Sequence, residues 1–134
     1  MIFYMLDTDI CSYIIRERPL QVLDHFKQVE IEQLCISTVT YAELIYGVEH
    51  SSSKKVNRAI IDDFVRHLNI ISWDEKAAEH YGNLRACLRA KGQIIGSMDM
   101  MIAAHARSRG MTLVTNNDRH FKRVPNLNVE NWAK

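Results

Sequence analysis

Cysteine, proline and glycine are all scarce: the 134 residues include three Cys, two Pro and five Gly. So little Gly and Pro excludes a collagenous or low-complexity chain, and 47% apolar with 25% charged residues excludes a disordered one. Cys11, Cys35 and Cys87 are odd in number, far apart and without a CxxC pair, which fits reduced thiols better than a disulfide framework or a zinc site. The six histidines show no HxxxH or HExxH spacing, so no histidine-built metal centre is expected. No apolar run approaches the roughly eighteen residues of a membrane span, and Met1 to Leu6 runs into Asp7 without a basic leader. A soluble, cytoplasmic protein with no membrane contact is expected.

Residues 1–134 have the size of a single domain with one sizeable core. Ile2 to Leu6 reads as a buried strand entering a helix capped by Thr8 or Asp9 and stopping before Pro19. A second helix is predicted over Gln21 to Val29, a strand at Leu34-Cys35-Ile36, and a helix over Val39 to Glu49 behind the capping Ser37-Thr38. Lys54 to Leu68 reads as an amphipathic helix with Val56, Ile60, Phe64 and Leu68 stacked on one face, and Ile70-Ile71 as an inner strand. Helices over Glu75 to Ala90 and Met98 to Arg109 follow, then strands at Thr112 to Val114 and Leu127 to Val129 around an irregular stretch. Short strands alternating with longer helices imply an α/β fold of three layers, a short, mostly parallel β-sheet flanked by helices on both faces. In such sheets functional groups collect beyond the carboxyl ends of the strands.

The net charge of +1 is unevenly spread. Residues 81–123 hold eight Lys/Arg against two Asp, and the remainder holds nine against fourteen acids. A basic segment on an otherwise acidic chain attracts phosphate locally, although solvated helix faces account for it equally well.

Three acids stand near strand ends: Asp7 directly after the first strand, Glu43 in the helix after the second, and Asp99 in the first turn of the last long helix. At 100° per residue Asp99 shares a face with Ile102, Ala103 and Ala106, and Glu43 lies at the edge of an arc made by Val39, Ala42 and Tyr46. Carboxylates brought to ~5 Å repel by roughly 3 kcal/mol at an effective dielectric of ~20, so such a cluster takes up protons or recruits a cation. Oxygen ligands with open positions suit Mg²⁺, with Mn²⁺ possible, and the chemistry this supports is phosphodiester hydrolysis. Taken singly, each acid has a plainer reading: Asp7 as a helix cap, Asp99 as a first-turn acid, Glu43 as a rim ion pair.

The stretches Met5-Leu6-Asp7-Thr8-Asp9-Ile10, Ile36 to Gly47, Gly96 to Ala106 and Val114-Thr115-Asn116-Asn117 resemble the PIN-domain ribonucleases, specifically the VapC toxins of bacterial toxin–antitoxin pairs, over nearly the whole chain. The resemblance implies a Mg²⁺-dependent endoribonuclease that inhibits translation and is neutralised by a VapB antitoxin wrapping the toxin. It implies Asp7, Glu43 and Asp99 as metal-binding catalytic acids, with Asn117 beside them. The fourth motif departs from the family: His120 stands where an acid is usual, so one firm metal site is expected rather than two. Asp118 serves equally well as a loop cap, and Asp9, as a helix-cap acid, needs no catalytic role. Arg85, Arg89, Thr115 and Asp118 are expected substrate contacts, and Tyr13, Tyr41 and Tyr46 more readily serve protein contacts. Transfer RNA, with initiator tRNA cut in the anticodon region, is the expected substrate, and a homodimer within a larger toxin–antitoxin assembly the expected form. Two rivals are a catalytically weak PIN-like module that binds RNA or protein, and a phosphatase whose DxD start would be Asp7-Thr8-Asp9.

Overall fold

Strands only two to four residues long, the first four each followed by a helix, return to the same edge of the sheet and pair in parallel. In the computed structural model, which describes residues 1–134, they are β1 (Tyr4–Leu6), β2 (Leu34–Ser37), β3 (Asn69–Ile71), β4 (Thr112–Val114) and β5 (Val129–Glu130). All pairings are parallel, in the order β3-β2-β1-β4-β5. The helices are α1 (Thr8–Arg16), α2 (Leu20–Gln28), α3 (Thr38–Glu49), α4 (Lys54–Val65), α5 (Glu75–Ala90), α6 (Ser97–Ser108) and α7 (Asp118–Phe121), with a 3₁₀ turn at Ile31–Gln33.

The period-two alternation of the strands sorts their side chains onto two cores. Met5, Cys35 and Leu113 face Leu84, Leu88 and Ile102 of α5 and α6. Leu6, Leu34, Ile36 and Val114 face Ile10, Ile14, Leu44 and Trp132 on the opposite side. Cys11 and Cys35 are buried, Cys87 is half-buried, and all three are free thiols. No helix is long and apolar enough to cross a membrane.

Five expectations are corrected. β3 is an edge strand rather than an inner one, with Ile70 exposed, because it pairs with β2 alone. α4 does not stack Val56 and Ile60 inward. Four-residue steps advance 400°, so such a stripe drifts around the helix, and the covered seam is Ile61, Phe64, Val65 and Leu68 instead. α7 interrupts the stretch expected to be irregular, and β5 lies at Val129–Glu130 rather than starting at Leu127. On α3, Thr40, Leu44 and Val48 turn inward, leaving Ala42 and Tyr46 exposed.

Candidate metal centre

The sheet order reverses about β1, whose neighbours β2 and β4 are reached by connections running in opposite directions, and this leaves a crevice at the carboxyl ends of β1 and β4. Asp7 is the residue that leaves β1 there. Its N–H donates to the Val114 carbonyl at 3.0 Å, extending the ladder by one bond. Its Oδ1 accepts the Ile10 N–H at 2.9 Å, making Asp7 the cap of α1, the role expected of Thr8 or Asp9. The side chain is nearly sealed, at 4% exposure. Burial pushes its carboxyl up to about 7, aided by the charges of Asp9 and Asp99, while the Thr115 hydroxyl and Ile10 N–H pull the other way.

Asp99, in the first turn of α6, is half-buried and shares its helix with the inward-facing Ile102, Ala103 and Ala106. Burial raises its pKa, reinforced by the charges of Glu43 and Asp9 and opposed by His120. Glu43 is half-buried on α3, and its Oε1 accepts the Thr8 hydroxyl at 2.5 Å. It lines a cleft of about 630 Å³ with Thr8, Asp9 and Tyr13 of α1 and with residues of α4.

Asp99 therefore lies within electrostatic reach of both Asp7 and Glu43, and Asp9 acts on Asp7 and Asp99 alike. They do not form a cage: no three acid, histidine or cysteine side chains converge closely enough to hold an ion unaided. The donor set still fits a hard dication. Mg²⁺ takes one or two carboxylates and keeps its waters, and a buried aspartate with a strongly raised pKa is stabilised by a positive charge beside it.

Asn117 ends the β4 loop with its Nδ2 2.9 Å from His120 Nδ1, so His120 in the usual acid's place holds this amide and lies in range of Asp99. Thr115 is fully buried, accepting the Asn117 N–H at 2.9 Å and facing Asp7, which leaves it no surface for substrate. Asp118 is also withdrawn. It accepts from Asn131 at 3.0 Å and pairs with Lys122 and Lys134, interactions that hold its carboxyl below the usual range, with Asn131 foremost. Arg85 and Arg89 stand on the exposed face of α5, with the Arg85 guanidinium on Tyr81, 2.6 Å from its hydroxyl.

Sequence reasoning missed Thr8 and undervalued Asp9, which acts on both Asp7 and Asp99. The available signal was a hydroxyl and a second acid in the first turn of the helix that Asp7 opens. It also missed His105, fully buried on α6, whose Nδ1 lies 2.8 Å from the Oγ of Ser37, the cap of α3.

The PIN domain family model matches residues 4–127. Over 133 residues the chain is 48% identical to Ribonuclease VapC2 of Haemophilus influenzae, covering 99% of this chain and 100% of that protein. It is 44% identical over 133 residues to the tRNA(fMet)-specific endonuclease VapC of Shigella flexneri, with the same two coverages. A chain of the crystal structure of VapBC2 from Rickettsia felis, bound to a DNA fragment from the promoter, superposes with a TM-score of 0.91 at 42% identity, covering 98% of this chain and 99% of that one.

Proposed function

We propose, for a chain that belongs to the PIN-domain family and to its VapC branch, that it is a Mg²⁺-dependent endoribonuclease toxin acting on tRNA. The observation that carries the reading is Asp7, buried at the β1/β4 crevice with Asp9 and Asp99 in electrostatic reach. The likeness to a tRNA(fMet)-specific endonuclease supports tRNA, and initiator tRNA in particular, as the substrate. The likeness to a VapBC complex supports a VapB-type antitoxin as the partner that neutralises it. Cleavage of initiator tRNA in its anticodon region stops translation and growth in the cytoplasm.

Asp7 and Asp99 would hold the ion, with Glu43 contributing directly or through water; Mn²⁺ would serve in place of Mg²⁺. The chemistry supplied by such an ion when bound is a lowered pKa for the attacking water and offset charge on the phosphoryl oxygens. Asp7 must be ionised for this, and the Thr115 hydroxyl and Ile10 N–H favour its charged form. Thr8 fixes the carboxylate of Glu43 by donating to one oxygen and leaving the other for the site. Asn117 is kept in place by His120, 2.9 Å from its amide nitrogen. Arg85 and Arg89 are proposed as outer contacts for phosphates distant from the cut.

The test is incubation of pure, antitoxin-free protein with total bacterial RNA, with and without Mg²⁺, and sequencing of the new ends. Cuts in tRNA that need the metal and vanish in Asp7→Ala, with the fold and antitoxin binding retained, are the expected result. RNA protected but never cut under any divalent ion would transfer the reading to a binding module, and release of phosphate from monoesters to a phosphatase.

A further inference from the structure

The acid-bearing cleft does not end at the acids. Tyr13 and Arg16 line it together with Thr8, Asp9 and Glu43. The same two side chains line a second cavity of about 1130 Å³ that continues past Arg18 to Asn116, the residue after Thr115. One surface therefore runs from Glu43 over the Tyr13 ring to the turn between α1 and α2.

That turn is built to present cations. α1 stops because Glu17 adopts the left-handed conformation, φ 59°, and the Arg18 N–H donates back to the Tyr13 carbonyl at 3.0 Å. Arg16 and Arg18 thus flank one reversal of the chain and both border the cavity. Neither pairs with a carboxylate, and Glu17 is the one acid in the lining. Several other cations are engaged by the fold. Arg107 is bound to His80, Asn83 and the Pro125 carbonyl, Lys122 pairs with Asp118, and Arg58 pairs with Asp62. The Arg16 guanidinium sits over one face of the Tyr13 ring at 5.3 Å, and Asn116 Nδ2 donates to the Tyr13 hydroxyl at 3.1 Å, so the ring is braced at one face and at its hydroxyl.

A polyanion drawn to a cluster of acids needs cations within about one Debye length, ~8 Å at physiological salt, because charges farther away are screened. Arg16 shares its cleft with Glu43 and Asp9, whereas neither Arg85 nor Arg89 lines that cleft. The geometry points to Arg16 and Arg18, with Tyr13 and Asn116, as the path by which a single strand of RNA enters or leaves the acidic centre, the two guanidinia taking successive phosphates and the braced tyrosine taking a base. This rests on the nuclease reading and deepens it by naming where the strand runs. Single-stranded RNA suits the path because unpaired bases stack on aromatic and guanidinium planes.

The experiment measures binding of a fluorescein-labelled single-stranded oligoribonucleotide by anisotropy across a salt series, in an Asp7→Asn background that does not cut. Arg16→Ala with Arg18→Ala should weaken binding roughly tenfold and flatten the log K against log salt slope by about 0.7 for each phosphate that is no longer neutralised. The paired Lys variants should keep the slope, and Arg66→Ala, on the far end of α4, should change neither quantity. In the cutting protein the double Ala variant should raise KM and leave kcat nearly intact. Unchanged RNA affinity and slope in the double Ala variant overturns the assignment, as does a loss of antitoxin affinity with RNA affinity intact, which would make the groove a protein seat. A parent protein that binds the oligonucleotide but cuts nothing refutes the nuclease reading separately.

Discussion

Thr8 Oγ1 donates to Glu43 Oε1 at 2.5 Å, tying the first turn of α1 to the middle of α3 across 35 positions of sequence. The carboxylate so held is one of the three expected to serve the metal, and the donor immediately follows another, Asp7.

Thr8→Val keeps the shape and removes the donor. Groups that orient metal-binding carboxylates are worth roughly ten- to a hundredfold in metal affinity or rate, so cleavage should fall by that amount while the melting temperature moves little. Thr8→Ser should restore most of the rate. Equal activity in Thr8→Val and the parent would show that Glu43 needs no such hold.

Asp7 should be a stability liability at neutral pH. Its folded pKa of about 7 lies above the ordinary carboxyl value of about 3.9, so between those two pH values the folded state keeps a proton that the unfolded state has released. Stability from this group is complete below pH ~4 and is lost as the pH rises through ~7, with an upper bound of roughly 4 kcal/mol. Asp7→Asn retains a capping oxygen for the Ile10 N–H and should therefore melt higher than the parent at pH 8 and equally near pH 4. Millimolar Mg²⁺ should raise the melting temperature of the parent and not of Asp7→Asn, since only the ionised carboxylate gains from the ion. A parent that is insensitive to Mg²⁺ in thermal melts counts against the ion's seat at Asp7.

The alternation of short apolar strands with helices made the layered parallel sheet legible, and the position of Asp7 just past β1 made the site legible with it. Asp99 was readable because Ile102, Ala103 and Ala106 fix its helix face by simple geometry, and all three are buried. Strand order was not readable: nothing local distinguishes Ile70-Ile71 at an edge from the same pair inside a sheet. Nor were the partners of Thr115 and Asp118, since burial of a polar side chain is decided by residues that arrive from elsewhere, here Asp7, Asn131 and Lys134. The stripe on α4 failed for a different reason, because a strict four-residue repeat winds away from any one neighbour.

Ser37 and His105 join α3 to α6, the helices that carry Glu43 and Asp99. Ser37 Oγ accepts the Val39 N–H at 3.1 Å and lies 2.8 Å from His105 Nδ1, and both residues are fully buried. Ser37→Ala removes a helix cap worth about 1 kcal/mol and strands a ring nitrogen in the core, so it should destabilise by roughly 2–3 kcal/mol in urea unfolding. Burial already lowers the pKa of His105, so the ring is neutral at pH 7 and cannot answer by charging. A double-mutant cycle with His105→Ala should return a coupling of roughly 0.5–3 kcal/mol, and simple additivity would show that the two groups act apart.

For the expected homodimer, the outward apolar residues of α4 are the surface to test. Val56 is 63% exposed and Ile60 44%, and Tyr46 on α3 is 68% exposed. Replacing Val56 and Ile60 by Lys disturbs no buried packing, so the fold should lose no more than about 0.5 kcal/mol per site. Burial of such a patch against a second copy would make the same substitutions costly for association. Sedimentation velocity at micromolar concentration should show a dimer for the parent and a monomer for the doubly substituted chain, with matching far-ultraviolet dichroism. A dimer that survives both lysines removes α4 from the interface, and a parent that sediments as a monomer removes the homodimer itself.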